Sequence, residues 1–304
     1  MDIKIGSRIT TSYQQKHIPQ RTTAKLSSTG IEPQKTNTLA GVGLLALGVI
    51  GGLLFSRGKT AQSAVQRAQK VFRNVFMRDN ISLEETTQMI KRYKEIEQIP
   101  DKQEYIQALF NEAKKNYGFE KGSLHCKFIN DSSKIGGKHY DSRDYIEINL
   151  AHSRDKMLEY IHHELKHAKQ CYCAFNYDAE AAVKAVMEHD YNSVLNGTSE
   201  LSDILKPMYG KYKNFEEFYS NMQPVKENIL DVVRNKFGLK EFSKDLIPET
   251  QYEYAQKCIQ AIKTTVDPEI NYTQYYTNFL EGGDAYPAGR DISEALKNAF
   301  KEVE

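Results

Sequence analysis

The clearest chemical pattern in the chain lies at residues 163–167, which read His-Glu-Leu-Lys-His and have the form H-E-x-x-H. Two histidines four residues apart share one face of a helix, so both imidazole rings can reach a single metal ion. Neutral imidazole nitrogens are common Zn²⁺ ligands, and a catalytic zinc keeps one coordination position for water. We therefore predict that His163 and His167 bind Zn²⁺. Glu164 is the predicted general base and acid, acting on a metal-activated water during peptide-bond hydrolysis.

This motif lies on a predicted helix that runs from about residue 154 to residue 173, with Ser153 as its N-cap. One face of the helix is apolar, which predicts that it packs against a core. The apolar residues of that face are Met157, Leu158, Ile161, Leu165 and Ala168. His162 is rotated by about 100° from His163 around the helix axis, so we expect it to lie outside the ligand set.

Two short strands are predicted before the motif helix. Residues 124–129 form one strand, and residues 145–150 alternate between apolar and polar side chains, which is typical of a half-buried strand. Residues 132–144 contain Gly136 and Gly137 and are predicted to form a loop, so the two strands should pair in an antiparallel sheet. Most of the remaining chain is predicted to be helical. The predicted fold class is therefore α+β, mainly helical with a small antiparallel sheet.

Two helices before the strands are marked by capping boxes. Ser82 is followed three residues later by Glu85, and Asp101 is followed by Glu104. In this pattern the first side chain accepts a hydrogen bond from the backbone N–H three residues on. We therefore predict helix starts at Ser82 and Asp101.

These features resemble the zincin metallopeptidases, and among them the small gluzincin-like group. The resemblance covers roughly residues 120–290 and depends on His163, Glu164 and His167. It implies a zincin-like domain with a small sheet, an H-E-x-x-H helix and a later helix that supplies a carboxylate ligand. The chain does not resemble a metzincin, because residues 168–178 lack the glycine and third histidine of that group.

The resemblance places the third zinc ligand within residues 279–286, Phe-Leu-Glu-Gly-Gly-Asp-Ala-Tyr. Gluzincin-like proteins carry E-x-x-A or E-x-E-A in this helix. Glu281 matches the leading glutamate, and Asp284 with Ala285 resembles the second half, although the spacing is one residue longer. Glu281 is the predicted third ligand, since Glu is a common partner of two histidines, and Asp284 is the alternative. Four further acids stay open as ligands: Asp178, Glu180, Glu216 and Glu217.

An uncharged apolar segment lies far from the motif, at residues 39–55. At a rise of about 1.5 Å per residue, this segment approaches the roughly 30 Å of bilayer hydrocarbon. We predict a single membrane-spanning helix at residues 38–56, with a buried glycine-rich hairpin or a signal-peptide core as alternatives. Gly48, Gly52 and Ser56 stand four residues apart, a pattern that favours self-association through this helix.

The flanks of that segment complete the predicted organisation. Residues 1–37 are a polar, flexible tail, and residues 57–80 form a basic amphipathic helix that lies either on an anionic membrane surface or against the following domain. Residues 81–304 form the metallopeptidase-like domain. More positive charges follow the span than precede it, which favours a cytoplasmic catalytic domain in a single-pass membrane protein.

The composition narrows the function classes. The net charge is +1, from 41 Lys and Arg against 40 Asp and Glu, so we expect no nucleic-acid partner. The predicted function is a membrane-anchored zinc metallopeptidase that acts on a peptide or protein substrate. Two alternatives stay open: a non-catalytic, membrane-tethered helical interaction module with an accidental H-E-x-x-H, and a delivered effector or toxin peptidase.

Overall fold

A computed structural model describes residues 58–134, 136–197, 199, 201–264 and 279–303. The chain divides into two units, Met1–Lys59 and Thr60–Glu304, and the fold below is that of the second. The predicted polar tail (residues 1–37) and membrane span (residues 38–56) lie outside the described residues. Within the described ranges, no helix is both long enough and apolar enough to cross a bilayer.

The described residues form an α+β fold that is mainly helical. Its ten α-helices are α1 (Gly58–Phe76), α2 (Leu83–Glu97), α3 (Lys102–Asn116), α4 (Met157–Tyr177), α5 (Ala179–Leu195), α6 (Ser202–Tyr209), α7 (Phe215–Asn221), α8 (Gln223–Phe237), α9 (Tyr252–Thr264) and α10 (Tyr286–Val303). The strands are β1 (His125–Ile129), β2 (Gly137–His139) and β3 (Tyr145–Asn149). A short π-helix, Glu281–Ala285, leads into α10.

Both predicted capping boxes begin helices, α2 and α3. The Ser82 hydroxyl accepts a hydrogen bond from the Glu85 backbone N–H at 3.0 Å, and Asp101 Oδ1 accepts one from Glu104 at 2.8 Å. Each bond satisfies a backbone donor that the first helical turn leaves without a partner. The two predicted helix starts are confirmed.

The motif helix starts later than predicted. The Ser153 side chain makes no capping hydrogen bond, and a 3₁₀ turn, Arg154–Lys156, separates it from α4. The helix then extends to Tyr177, past the predicted end at residue 173. It stops because Asp178 adopts extended backbone angles and its carboxylate caps the next helix.

The predicted antiparallel pairing of the two strands is wrong. β1 and β3 pair in parallel, with Phe128 opposite Ile148, and the sheet has the order β1-β3-β2. Residues 132–144, predicted to be a loop, contain β2, which pairs antiparallel with β3 and places Gly137 opposite Ile148. A strand of three residues that starts with glycine shows no alternating pattern, so its signal is absent from the sequence. The sheet is therefore mixed.

The helix α4 lies inside the core and contacts the sheet, α3, α5, α9 and α10. Its apolar face is fully buried at Ile161, Leu165 and Ala168. On the sheet, Ile146 and Ile148 of the central strand β3 are also fully buried. The motif histidines are therefore carried by a helix that is fixed by neighbours on several sides.

The apolar face of α1 packs into the same core. Ala68, Phe72 and Phe76 are buried, and the Phe76 ring lies against Tyr117 and His162. Two positions were predicted for the basic amphipathic helix, on a membrane surface or against the following domain. In the structure, the apolar face of α1 packs against the following domain.

The turn between α1 and α2 provides a test of this packing. Ile81 is 0% exposed, and its carbonyl accepts hydrogen bonds from Arg73 and Gln69. We expect Ile81→Ala to lower the free energy of unfolding by about 2–5 kcal/mol, because it opens a cavity in the core. Ile204, 73% exposed on α6, is the matched control, and Ile204→Ala should change this free energy by less than about 0.5 kcal/mol. Urea denaturation of the full chain measures both, and equal effects would contradict the described core.

Candidate metal centre

The two motif histidines lie on adjacent turns of α4 with their Nε2 atoms 3.2 Å apart. Their ring centroids are 4.8 Å apart, and the ring planes are nearly perpendicular, at 82°. Two nitrogen ligands of a tetrahedral zinc, each at about 2.0–2.1 Å from the ion, are themselves separated by about 3.3 Å. The Nε2 atoms of His163 and His167 therefore already have the separation that one shared ion requires.

Glu164 lies beside this pair. Its Oε1 is 3.9 Å from His163 Nε2, and the ligand atoms of His163, Glu164 and His167 all lie within 4.8 Å of one another. The Glu164 side chain is buried against β2, where a Cβ added to Gly137 would lie only 2.8 Å from both Glu164 Cγ and Oε1. A glycine at position 137 thus leaves the space that the carboxylate occupies.

The hydrogen bonds of Gln170 determine the tautomer of His167. The Gln170 amide nitrogen donates to Leu280 O at 3.0 Å and to Asp284 Oδ2 at 2.8 Å. Both partners are acceptors, so the amide oxygen of Gln170 is the atom that lies 2.7 Å from His167 Nδ1. The Nδ1 atom must then carry the hydrogen. His167 Nε2 therefore presents its lone pair toward His163.

Asp284, the alternative third ligand, is separated from His167 by the side chain of Gln170, which bonds to both residues. Its Oδ1 forms an ion pair with Lys166 Nζ at 3.3 Å, and its Oδ2 accepts a hydrogen bond from the Tyr254 hydroxyl at 2.6 Å as well as from Gln170. Lys166 is only 3% exposed. Asp284 is thus held by three groups and is linked to His167 through Gln170.

Glu281, the predicted third ligand, occupies the first position of the π-helix. Its side chain lies outside the described residues. The carbonyl of the preceding residue, Leu280, accepts the hydrogen bond from Gln170, so the backbone just before Glu281 lies against α4 beside the histidines.

The four other candidate acids make contacts elsewhere. Within the described residues, none of them belongs to the group of ligand atoms at the motif. Their partners are the Ala181 backbone N–H for Asp178, Lys226 and Tyr219 for Glu180, Lys184 for Glu216, and the Lys213 backbone N–H for Glu217.

His162 points away from the motif pair into an aromatic part of the core. It is 0% exposed, and its Nε2 lies 3.1 Å from the Tyr93 hydroxyl. Burial lowers the pKa of His162 to about 3, since the charged imidazolium would lose its hydration. His162 therefore lies apart from the group formed by His163, Glu164 and His167.

His139 of β2 is a neighbour of the centre that sequence reasoning missed. Its ring lies nearly parallel to that of His167, with centroids 6.3 Å apart. Lys236 Nζ is 2.7 Å from His139 Nε2 and 2.8 Å from Tyr140 O. Burial, together with the nearby Lys236 charge, holds the pKa of His139 well below its usual range. The only sequence signal was a histidine in a segment that reads as a loop.

His189 and Asp190 lie next to each other on α5. Burial lowers the pKa of His189, and its Nδ1 has no hydrogen-bond partner among the described residues. Burial also raises the pKa of the neighbouring Asp190 to about 7, and the negative charge of Asp141 adds to this increase. These partly buried groups are connected to the neighbourhood of the centre through Asp141, whose Oδ1 lies 3.8 Å from His139 Nδ1.

The structure thus brings His163, Glu164 and His167 together as a group that could hold a metal ion. No protein-family model, curated protein or solved structure matches this chain. The chemical assignment of the centre therefore depends on its own residues.

The raised pKa of Asp190 predicts a pH-dependent stability. An unfolded aspartate has a pKa of about 3.9, so between about pH 4 and pH 7 the folded chain binds more protons than the unfolded chain. The Asp190 contribution to the free energy of unfolding should therefore fall as the pH rises through this window. Asp190→Asn should remove that loss, so the variant should gain stability relative to wild type from pH 4 to pH 8 in urea denaturation. An Asp190 carboxyl carbon that titrates near pH 4 by NMR would contradict this expectation.

Proposed function

We propose that this chain is a zinc-dependent metallopeptidase of the gluzincin-like zincin type, anchored to a membrane through residues 38–56. The observation that carries the proposal is the 3.2 Å separation of His163 Nε2 and His167 Nε2 with the Glu164 carboxylate beside them. The separation fits two ligands of one tetrahedral ion. The metal is proposed to be zinc because two imidazoles with a carboxylate are a common catalytic zinc set.

Glu281 is proposed as the third ligand. The hydrogen bond from Gln170 to Leu280 O supports this choice, because it brings the backbone next to Glu281 against the ligand helix. Asp284 is less suited to the metal, since an ion pair with the buried Lys166 already engages its carboxylate. Taking Asp284 away from Lys166 would leave a buried charge without its partner, which is costly.

The chain's own residues have separate roles in the proposed hydrolysis. A bound zinc supplies a Lewis acid that lowers the pKa of a water molecule and polarises the peptide carbonyl. Glu164 is close enough to the histidine pair to take the proton of that water and to pass it to the leaving amine. Burial of Glu164 against Gly137 limits its movement and keeps the carboxylate directed at the pair.

The strand β2 is the proposed position for the substrate backbone. In the described part of the chain, β2 pairs with β3 on one side only and lies at an edge of the sheet. An extended peptide can add to such an edge through backbone hydrogen bonds. Because Gly137 of β2 contacts Glu164, a peptide on this edge would pass close to the proposed general base.

Metal content tests the ligand pair. The purified full chain should hold about one zinc ion, because a catalytic site binds a single ion. His163→Ala should lower the content below about one-tenth of an ion, since one histidine and a carboxylate bind zinc weakly. His125 is exposed on β1, and His125→Ala is the matched control that should keep the metal. Mass-spectrometric metal analysis after dialysis measures the content. A folded wild-type chain with less than about a tenth of an ion would refute the proposed metal site.

Peptide cleavage tests Glu164. We expect Glu164→Gln to keep its zinc and to lower turnover of a mixed peptide library by at least about a hundredfold, because the amide cannot take a proton. The control is Glu159→Gln on the same helix, where Glu159 forms an ion pair with Lys156 at 2.8 Å. Cleavage products are counted by mass spectrometry. Normal turnover in Glu164→Gln, or zinc-loaded wild type without cleavage, would argue against the peptidase.

A further inference from the structure

Gln170 is placed between a metal ligand and the segment that follows the undescribed residues 265–278. On one side its amide oxygen accepts from His167 Nδ1, and on the other its amide nitrogen donates to Leu280 O and Asp284 Oδ2. Gln170 itself is 3% exposed. A buried amide with all of these groups paired has one favourable orientation, because the reversed amide would face two acceptors with its own oxygen.

Asp284 holds that orientation from the far side. Its carboxylate is fixed by Lys166 at 3.3 Å and by the Tyr254 hydroxyl at 2.6 Å. Lys166 also donates to Val75 O at 3.2 Å, so the anchor reaches α1, while Tyr254 connects it to α9. The position of Asp284 therefore depends on three helices and not on the π-helix alone.

We propose that Asp284 and Gln170 form a relay that positions His167 for metal binding and couples metal affinity to the docking of residues 280–285. The relay rests on the metal site of the proposed function. It keeps hydrogen on Nδ1 of His167 and the lone pair on Nε2, which is the state that a metal ion needs. Residues that hold the second ring nitrogen of a ligand histidine commonly change metal affinity by about 10- to 100-fold.

The coupling must act in both directions. If docking of residues 280–285 favours the binding-competent His167, then metal binding must stabilise that docking by the same factor. Zinc should thus protect the backbone amides of these residues from hydrogen exchange, and the part of this protection that depends on Gln170 and Asp284 adds to any direct contact of Glu281 with the ion.

The test compares Gln170→Met with Gln251→Met in the full-length chain. Gln251 is a second buried glutamine, 7% exposed, and its amide donates to Met77 O. Zinc affinity is measured by competition with a chromogenic chelator, and the absorption spectrum of the Co²⁺-loaded chain reports ligand geometry. We expect Gln170→Met to weaken zinc binding by about 10- to 100-fold and to alter the Co²⁺ spectrum. Gln251→Met should leave both unchanged, whatever its effect on stability.

Asp284→Asn supplies a second, independent variant. It should weaken zinc binding in the same direction, and the double variant with Gln170→Met should bind no more than about twofold more weakly than Gln170→Met alone, because both changes break one relay. Hydrogen exchange of residues 280–285 should slow on zinc addition in wild type, and at zinc saturation it should slow less in Gln170→Met, where only the contact of Glu281 with the ion remains.

Three results would overturn the relay. Zinc affinity of Gln170→Met within about threefold of wild type would do so, as would additive losses in the double variant. Wild type that binds no zinc would overturn the metal site and the relay together. Zinc-loaded wild type that cleaves no peptide, with the Gln170 effect intact, would instead refute the peptidase and support the relay.

Discussion

One turn of α4 has to place two imidazole nitrogens 3.2 Å apart while the rest of the helix is packed inside the core. A helix can do this because residues four apart share a face, whereas its neighbouring face carries the apolar side chains. Any rotation of α4 about its axis would move His163 and His167 together and would also expose Ile161 or Leu165. The packing of the core therefore fixes the rotation of this helix, and the same rotation fixes the positions of the two histidines.

Burial of α4 forces its polar residues to find partners. Lys166, Gln170 and His162 are all nearly inaccessible to water, and an unpaired polar group in such a position is costly. Lys166 pairs with Asp284, Gln170 bonds His167 on one side and the residues before α10 on the other, and His162 contacts Tyr93. These contacts act in different directions around the helix. They fix its rotation more narrowly than apolar packing would, because hydrogen bonds depend strongly on distance and angle.

Local patterns predicted much of the fold. The helix starts after Ser82 and Asp101 follow from capping boxes, which need only a few neighbouring residues. The direction of strand pairing did not follow, because the chain that connects β1 to β3 forms β2, and β2 has too few residues for a periodic signal. The direction in which two strands pair depends on the course of the chain that connects them. Here the sequence predicted the connecting segment to be a loop, so its course could not be predicted.

At the candidate metal centre, the sequence alone determined the elements that depend on spacing within one helix: His163, Glu164 and His167, and the exclusion of His162 from their face. The tertiary structure decided which distant residues reach them. His139 comes from an unrecognised strand, and Asp284 comes from more than a hundred positions along the chain, where Lys166 and Tyr254 hold its carboxylate. The physical reason is the distance along the sequence over which each kind of interaction acts. Helical periodicity fixes relative positions over a few turns, but contacts between separate elements depend on how the whole core packs.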